Sequence, residues 1–319
     1  MIWLRYNAKE VIAAIALVVL FAGYIAIHPR GFSTYVITIW SNQGALLGLA
    51  AIAQFFVVLV KGIDLSVGSI IALTNVAASF LLNGSPASIA FGILAVLAVG
   101  LACGLVNGIA VVYGRVQPIV TTLATGGIFG GIALLLRPTP GGSIDATMSD
   151  ALTYAVAGIP VSAIILVIVL VVLRILLRRT ASGPALYAVG SSEQSAYMTG
   201  LRVNRLKLIA YGSSGFIAAL AGIYVSMVTL TGDPNIAPSY TLNSIAAVVL
   251  GGVALSGGVG SPIGAVIGAL ILKTISSLMF FSGLPPLAQP FFEGLILAIA
   301  IALGALGVFR VHSRLELYR

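Results

Sequence analysis

The chain has 319 residues, 60% of them hydrophobic and 8% charged, where an ordinary soluble domain is about 25% charged; that balance excludes a soluble protein. The net charge of +8 does not mark nucleic-acid binding, because the lysines and arginines stand at the ends of apolar runs with no aromatic-interleaved basic patch beside them. One cysteine, Cys103, excludes an internal disulfide and is assigned to packing, His28 and His312 are isolated and point to neither a metal site nor a Ser/His/Asp triad, and no GxxxxGK[ST] phosphate loop occurs. The fold expected is an all-α polytopic membrane helix bundle forming a single domain over 1–319.

A helix crossing about 30 Å of hydrocarbon needs roughly 20 residues. On that measure helices are predicted near 10–27, 36–60, 66–82, 86–112, 118–136, 158–178, 206–228, 241–256, 262–281 and 288–309, ten spans in all. The first follows Arg5 and Lys9 and reads as a retained helix, not a signal peptide. Turn chemistry separates the spans: HPRGFS after the first, NGSP at 83–86, YGRVQP at 113–118, RPTPGG at 137–142, TGDPN at 231–235 and SGLPP at 282–286. Glycines are scattered through the apolar runs, where small residues let helices approach backbone to backbone.

Ten spans put both termini on one side. Arg5, Lys9, Lys61, Arg115, the group from Arg174 to Lys207, and Arg310, Arg314 and Arg319 all fall on that face, which the positive-inside rule makes cytoplasmic. Lys273 is the misfit, inside the ninth span: it snorkels, faces a partner, or marks a wrong boundary. Two polar excursions remain, 137–159 outside and 179–207 inside. In the second, Ser191-Ser192-Glu193-Gln194 opens a short helix over 195–198 that Gly200 ends. With Tyr197 and Met198 exposed, it reads as a knob for a partner's groove or as a plain amphipathic linker.

The stretch Lys61–Ser69, KGIDLSVGS, holds the one acidic residue between Glu10 and Asp145. It reads either as a helix–turn–helix corner capped by Asp64 or Ser66, or as a hinge on a membrane pathway, since a carboxylate near hydrocarbon costs about 2.5–3.5 kcal/mol on insertion scales. Gly62, Asp64, Ser66 and Gly68 are its hinge candidates. An offset of 196 sets AAIAQFFVVLVKGIDLSVGSIIAL over AAVVLGGVALSGGVGSPIGAVIGA, which makes Gly258, Ser261 and Gly264 a second corner and predicts a parallel internal repeat. Buried charges are scarce, which disfavours a proton or sodium relay. Neutral polar residues in the spans, Asn42, Gln43, Gln54, Asn75, Thr122 and Asn243, with Phe55 as an apolar face, suit a pathway for a neutral polyhydroxylated solute or serve as interhelical hydrogen bonds.

GIDLSVGS at 62–69, TASGPALYAVGSSEQSAYMTGLRVNRLKLIAYGSSGFIAALAGI at 180–223 and AAVVLGGVALSGGVGSPIGAVIGALIL at 246–272 resemble the membrane subunit of ribose-type ABC sugar importers over about residues 35–305. The resemblance implies a multi-pass permease of the bacterial inner membrane, a transport subunit and not itself an enzyme. Its partners would be a second, identical or non-identical, permease, a periplasmic sugar-binding protein and a separate ABC ATPase subunit that binds the ATP, so the chain needs no cofactor or metal of its own. The segment 183–200 then looks like the ATPase coupling region, with Gly183, Ala188, Gly190, Glu193, Ala196 and Gly200 in its pattern. Pro184 and Ser191-Ser192 depart from that pattern, and Lys61 stands where the family has a small residue before GIDLSVG. The same architecture serves importers of nucleosides, a signalling furanone or branched amino acids, and a stand-alone secondary carrier is the rival from another class.

Overall fold

The computed structural model describes residues 8–156, 158–295 and 298. The helices are α1 (Ala8–Ile27), α2 (Thr34–Leu59), α3 (Val67–Leu81), α4 (Pro86–Val112), α5 (Pro118–Leu136), α6 (Ala146–Thr153), α7 (Val161–Arg179), α8 (Ser182–Ser191), α9 (Glu193–Met198), α10 (Val203–Thr229), α11 (Ala237–Leu250) and α12 (Pro262–Phe281). Between α6 and α7 lies a small antiparallel pair, β1 (Ala155–Val156) with β2 (Ile159–Pro160). Among the described residues seven helices are long and apolar enough to cross a membrane, namely α1, α2, α4, α5, α7, α10 and α12. The bundle is all-α and polytopic, as its composition requires. The tenth predicted span, 288–309, starts in a 3-10 turn at 288 and is helical over 289–295 and at 298, and its other residues lie outside the described ones.

Several boundaries follow from local chemistry. Ser33 caps α2, Ser85 precedes Pro86 at the start of α4, and Ser261 precedes Pro262 at the start of α12, where its hydroxyl accepts from the Gly264 N–H at 3.0 Å. The centre of the bundle is α2, buried without interruption from Gly44 to Leu59; a helix apolar all round has to be enclosed all round. It packs against α10, α11 and α12. Close approach of α4 to α10 depends on Gly100, Gly104 and Gly215, where an added Cβ would meet the facing backbone. On the periphery α1, α5 and α7 turn large apolar side chains outward, among them Val18, Leu135 and Ile168.

Two of the expected spans are corrected. The third is helical only over the 15 residues of α3 and the eighth only over the 14 of α11, lengths of about 21–23 Å at 1.5 Å per residue, too short to span. Each follows an irregular approach, 60–66 and 230–236, the second ending in a 3-10 turn over Pro234–Ile236, and each approach carries near its start a non-glycine residue in the left-handed region, Lys61 (φ 65) and Leu230 (φ 54). Helix lengths do not follow the offset of 196, which sets long α2 against short α11. Backbone features recur instead at an offset of 169, pairing Lys61 with Leu230, Asp64 with Asp233 and Gly68 with Ala237. Asp64 Oδ1 accepts from the Ser66 N–H and Asp233 Oδ1 from the Asn235 N–H, both at 2.8 Å and both two residues on.

The second approach runs against the direction of α3. Gly232 lies against Val76 and Ser79 near the C-terminal end of α3, while Ala237 lies against Gly68 at its start. Residues 231–236 therefore run antiparallel beside α3, and α11 continues beyond it towards the corner at 251–261. The two half-helix N-termini meet side by side inside the bundle.

Candidate functional site

The site grows from the problem of carrying a non-helical backbone through a membrane-spanning bundle. Unpaired N–H and C=O groups at such depth cost several kcal/mol each, so irregular backbone survives there only where protein satisfies it. The 60–66 approach is enclosed in that way. The Gln54 side-chain amide brackets Asp64, donating to its carbonyl at 2.9 Å and accepting from its N–H at 3.2 Å. Thr122 Oγ1 accepts from the Leu65 N–H at 3.0 Å and lies 3.1 Å from the Ile63 carbonyl. Asn107 donates to Ser66 Oγ at 2.7 Å and accepts from Thr125 Oγ1 at 2.5 Å.

Asp64 is completely buried. Its Oδ1 takes the Ser66 N–H and, at 2.5 Å, the Ser66 hydroxyl, and its Oδ2 faces Ser214 Oγ at 3.4 Å. The carboxylate thus sits at the N-terminus of α3, where negative charge offsets the helix dipole. Asp64 makes no pair with Lys61, which turns away and donates to the Ser191 carbonyl at 3.2 Å. Ser66 is the N-cap by position, but its own side chain makes no capping bond; Asp64 instead accepts from the N–H of the N-cap residue itself. Gly62 is required by space, since a Cβ there would fall 2.6 Å from Tyr211 Oη and 2.7 Å from Val57 Cγ1. That Tyr211 hydroxyl is buried without a hydrogen-bond partner. At Gly68 a Cβ would strike the Ala237 carbonyl and Thr241.

The second approach has a matching bracket. Asn75, buried, accepts from the Asp233 N–H at 2.5 Å and donates to the Thr231 carbonyl at 3.0 Å and to Ser226 Oγ at 2.7 Å. Gln54, Thr122 and Asn75 therefore spend their polar groups on backbone in this conformation, and Phe55 is fully enclosed. The other pathway candidates sit elsewhere: Asn42 accepts from Tyr224 Oη at 3.2 Å through its carbonyl, Gln43 is exposed, and Asn243 donates to Glu293 at 3.3 Å. Asn107 and Ser214 complete the Asp64 network; the polar, mid-helix character of Asn107 was the signal for it in the sequence.

At one end of the bundle the α8–α9 segment rests on both corners. The α8–α9 break is capped by Ser192, whose hydroxyl accepts from the Ser195 N–H at 3.2 Å, and Gly200 (φ 82) terminates the second helix, as predicted. The longer α8 ahead of it was not foreseen. Gly183 packs on the Leu177 backbone and Gly190 on the Leu59 carbonyl and Gly258. Gly258 in turn donates to that Leu59 carbonyl at 3.0 Å, and Tyr187 Oη donates to the Gly260 carbonyl at 2.9 Å. Ala196 is buried, Ala188 is exposed, and Glu193 pairs with Lys207 at 2.7 Å on the surface. Tyr197 and Met198 are 74% and 75% exposed. Gly190, Leu59 and Gly258 thus form one junction between the α8–α9 segment, the end of α2 and the 251–261 corner. Gly264 lies apart, against the Gly251 carbonyl, which closes the start of α12 on the end of α11. Among the described residues no cluster of His, Cys, Asp and Glu could hold a metal ion.

Residues 36–303 match the family model described as the branched-chain amino acid transport system / permease component. The chain is 35% identical over 293 residues to the ribose import permease protein of Haemophilus influenzae, covering 90% of each, and 36% identical over 271 residues to that of Bacillus subtilis, covering 82% of each. It is also 35% identical over 299 residues to the autoinducer 2 import system permease protein of Yersinia enterocolitica, covering 91% of this chain and 81% of the relative. No solved structure matches the chain. With a polytopic helical bundle, two half-helices meeting inside it, and a family match over most of its length, the chain belongs to the branched-chain amino acid transport system / permease component family and is a multi-pass inner-membrane permease of the ribose-type ABC importers.

Proposed function

We propose that this chain is the membrane subunit through which a binding-protein-dependent ABC importer moves a small neutral sugar, ATP being hydrolysed by a separate subunit. The observation that carries the reading is the Gly190–Leu59–Gly258 junction. It gives an exposed two-helix segment a rigid contact with the residue just ahead of the 60–66 approach and with the 251–261 corner at once. Tyr197 and Met198 form the apolar knob that enters a groove of the ATPase, with Gly183, Ala188, Glu193, Ala196 and Gly200 shaping the segment. ATP-driven closure of the ATPase pushes that segment, and the push turns the half-helices about Gly62–Gly68 and Gly257–Gly264. A second permease copy or a close relative faces this one, the loaded binding protein docks on the side of the 137–159 loop, and both termini lie in the cytoplasm. The names of the relatives support ribose as the cargo, with autoinducer 2 as the second reading.

Vesicles holding this chain, its ATPase and its binding protein test the proposal. Labelled ribose should accumulate only when all three and ATP are present, and excess unlabelled autoinducer 2 should compete if the second reading is the right one. Uptake by this chain alone under a proton gradient would overturn both.

A further inference from the structure

Between α7 and α10 runs an apolar groove of about 530 Å³, walled by Leu105 of α4, Val172 and Leu176 of α7, and Ile209, Phe216 and Leu220 of α10. Its other neighbours hold α7 in place: the helix rests on α2 and α8 and makes no extended contact with α10, so among the described residues nothing fills the space between the two. All three walls are membrane-spanning helices. A void forfeits the dispersion contacts of its lining, and the medium outside is lipid hydrocarbon, as apolar as leucine. From Arg205 to Leu220 the groove follows α10 for about 22 Å, enough to cross one leaflet, about 15 Å of hydrocarbon.

The charge at its mouth selects the occupant. Arg205 lines the groove from the first turn of α10, which holds no acidic residue, and Arg179, three residues beyond Leu176, continues the α7 wall to the same end, where the α8–α9 segment joins the two helices. Among the described residues neither guanidinium makes a hydrogen bond or an ion pair, while Glu193 on α9 is already taken by Lys207 at 2.7 Å. Glu10 lies in a separate cavity with Arg174 and Arg178. A cation at the positive pole of a helix dipole is unfavourable, and an anion set between Arg179 and Arg205 offsets pole and cations together. A second copy seated here about a two-fold axis would instead set these arginines against their own counterparts, like charge on like. We propose that the groove holds one anionic phospholipid of the adjoining leaflet, an acyl chain lying between α7 and α10 and the headgroup phosphate bridged by Arg179 and Arg205. The lipid braces α7, which leads directly into the α8–α9 segment. The proposal holds whichever solute is carried.

Native mass spectrometry of the unsubstituted full chain should find phosphatidylglycerol retained about tenfold or more in preference to zwitterionic phosphatidylcholine, as expected when charged groups share hydrogen bonds. The sequence holds two tryptophans, so Trp3→Phe and Trp40→Phe combined with Phe216→Trp put the sole indole in the groove. In phosphatidylcholine nanodiscs, acyl-brominated phosphatidylglycerol should quench that emission at about tenfold lower mole fraction than acyl-brominated phosphatidylcholine. Arg179→Gln with Arg205→Gln should bring the two lipids level and leave thermal unfolding in phosphatidylcholine alone unchanged, since both side chains are exposed. Ser213→Leu, which narrows the groove without removing a charge, should lower quenching by both lipids. Equal retention and equal quenching by the two lipids in the parent, or a preference that survives the loss of both arginines, would overturn the site. An indole that neither lipid quenches would overturn it too, because a second copy or another helix would then cover the groove.

Discussion

Asp64 shows how much a single residue can be asked to do in an apolar protein. Burying a carboxylate is tolerable only with strong hydrogen bonds, and here three donors surround it, from Ser66 twice and Ser214 once. Asp64→Ala leaves the Ser66 N–H unsatisfied and is expected to cost about 1–3 kcal/mol; it should reduce ATP-driven uptake far more than membrane insertion, read by transport against the amount of protein in the membrane. Asp64→Asn keeps an acceptor and should do less harm. Uptake at the level of the parent in Asp64→Ala would reduce this residue to an ordinary cap. Gly62 and Tyr211 form a second residue-scale pair. Gly62→Ala should destabilise by about 1–3 kcal/mol through overpacking, and Tyr211→Phe, which removes an unpartnered hydroxyl, should be neutral or stabilising and should restore much of the loss, as thermal unfolding in detergent would show.

At the scale of elements, the long helices were legible and the half-helices were not. Runs such as Pro86–Val112 announce themselves by length and by the Ser-Pro start, whereas α3 and α11 sit in sequence as apolar as any span. What makes them short is the backbone of 60–66 and 230–236, and the correspondence between those approaches rests on left-handed Lys61 and Leu230, residues with nothing chemical in common. Identity matching in an Ala-, Val- and Gly-rich chain instead favoured the offset of 196. The candidate polar residues met a similar limit: Gln54, Asn75 and Thr122 have the composition of a pathway wall, and only geometry reveals that they close hydrogen bonds on non-helical backbone. The α9 helix was legible because its cap and its stop are both written in Ser192 and Gly200. Its exposed tip yields an element-scale prediction. Tyr197→Ala with Met198→Ala should leave the permease folded, since both are surface residues, yet weaken its association with the ATPase by about tenfold or more, as expected when aromatic and methionine anchors are removed from an interface; co-purification from the membrane measures it.

At the scale of the whole molecule, two half-helices with adjoining N-termini and a surface segment bearing on both corners make a bundle whose weak line is internal and whose handle is external. The handle and the weak line meet at Gly190, Leu59 and Gly258, where neither glycine has room for a side chain. Gly190→Val tests that arrangement most directly, in proteoliposomes containing the ATPase and binding protein, with ATP hydrolysis and labelled ribose uptake recorded together. Association with the ATPase through Tyr197 and Met198 should persist, and hydrolysis with it, while uptake per ATP hydrolysed falls by about tenfold or more, as a misfit of more than about 1.4 kcal/mol in the transport-competent state requires. Uptake per ATP equal to that of the unsubstituted chain, in a variant that is folded and inserted, would contradict the account.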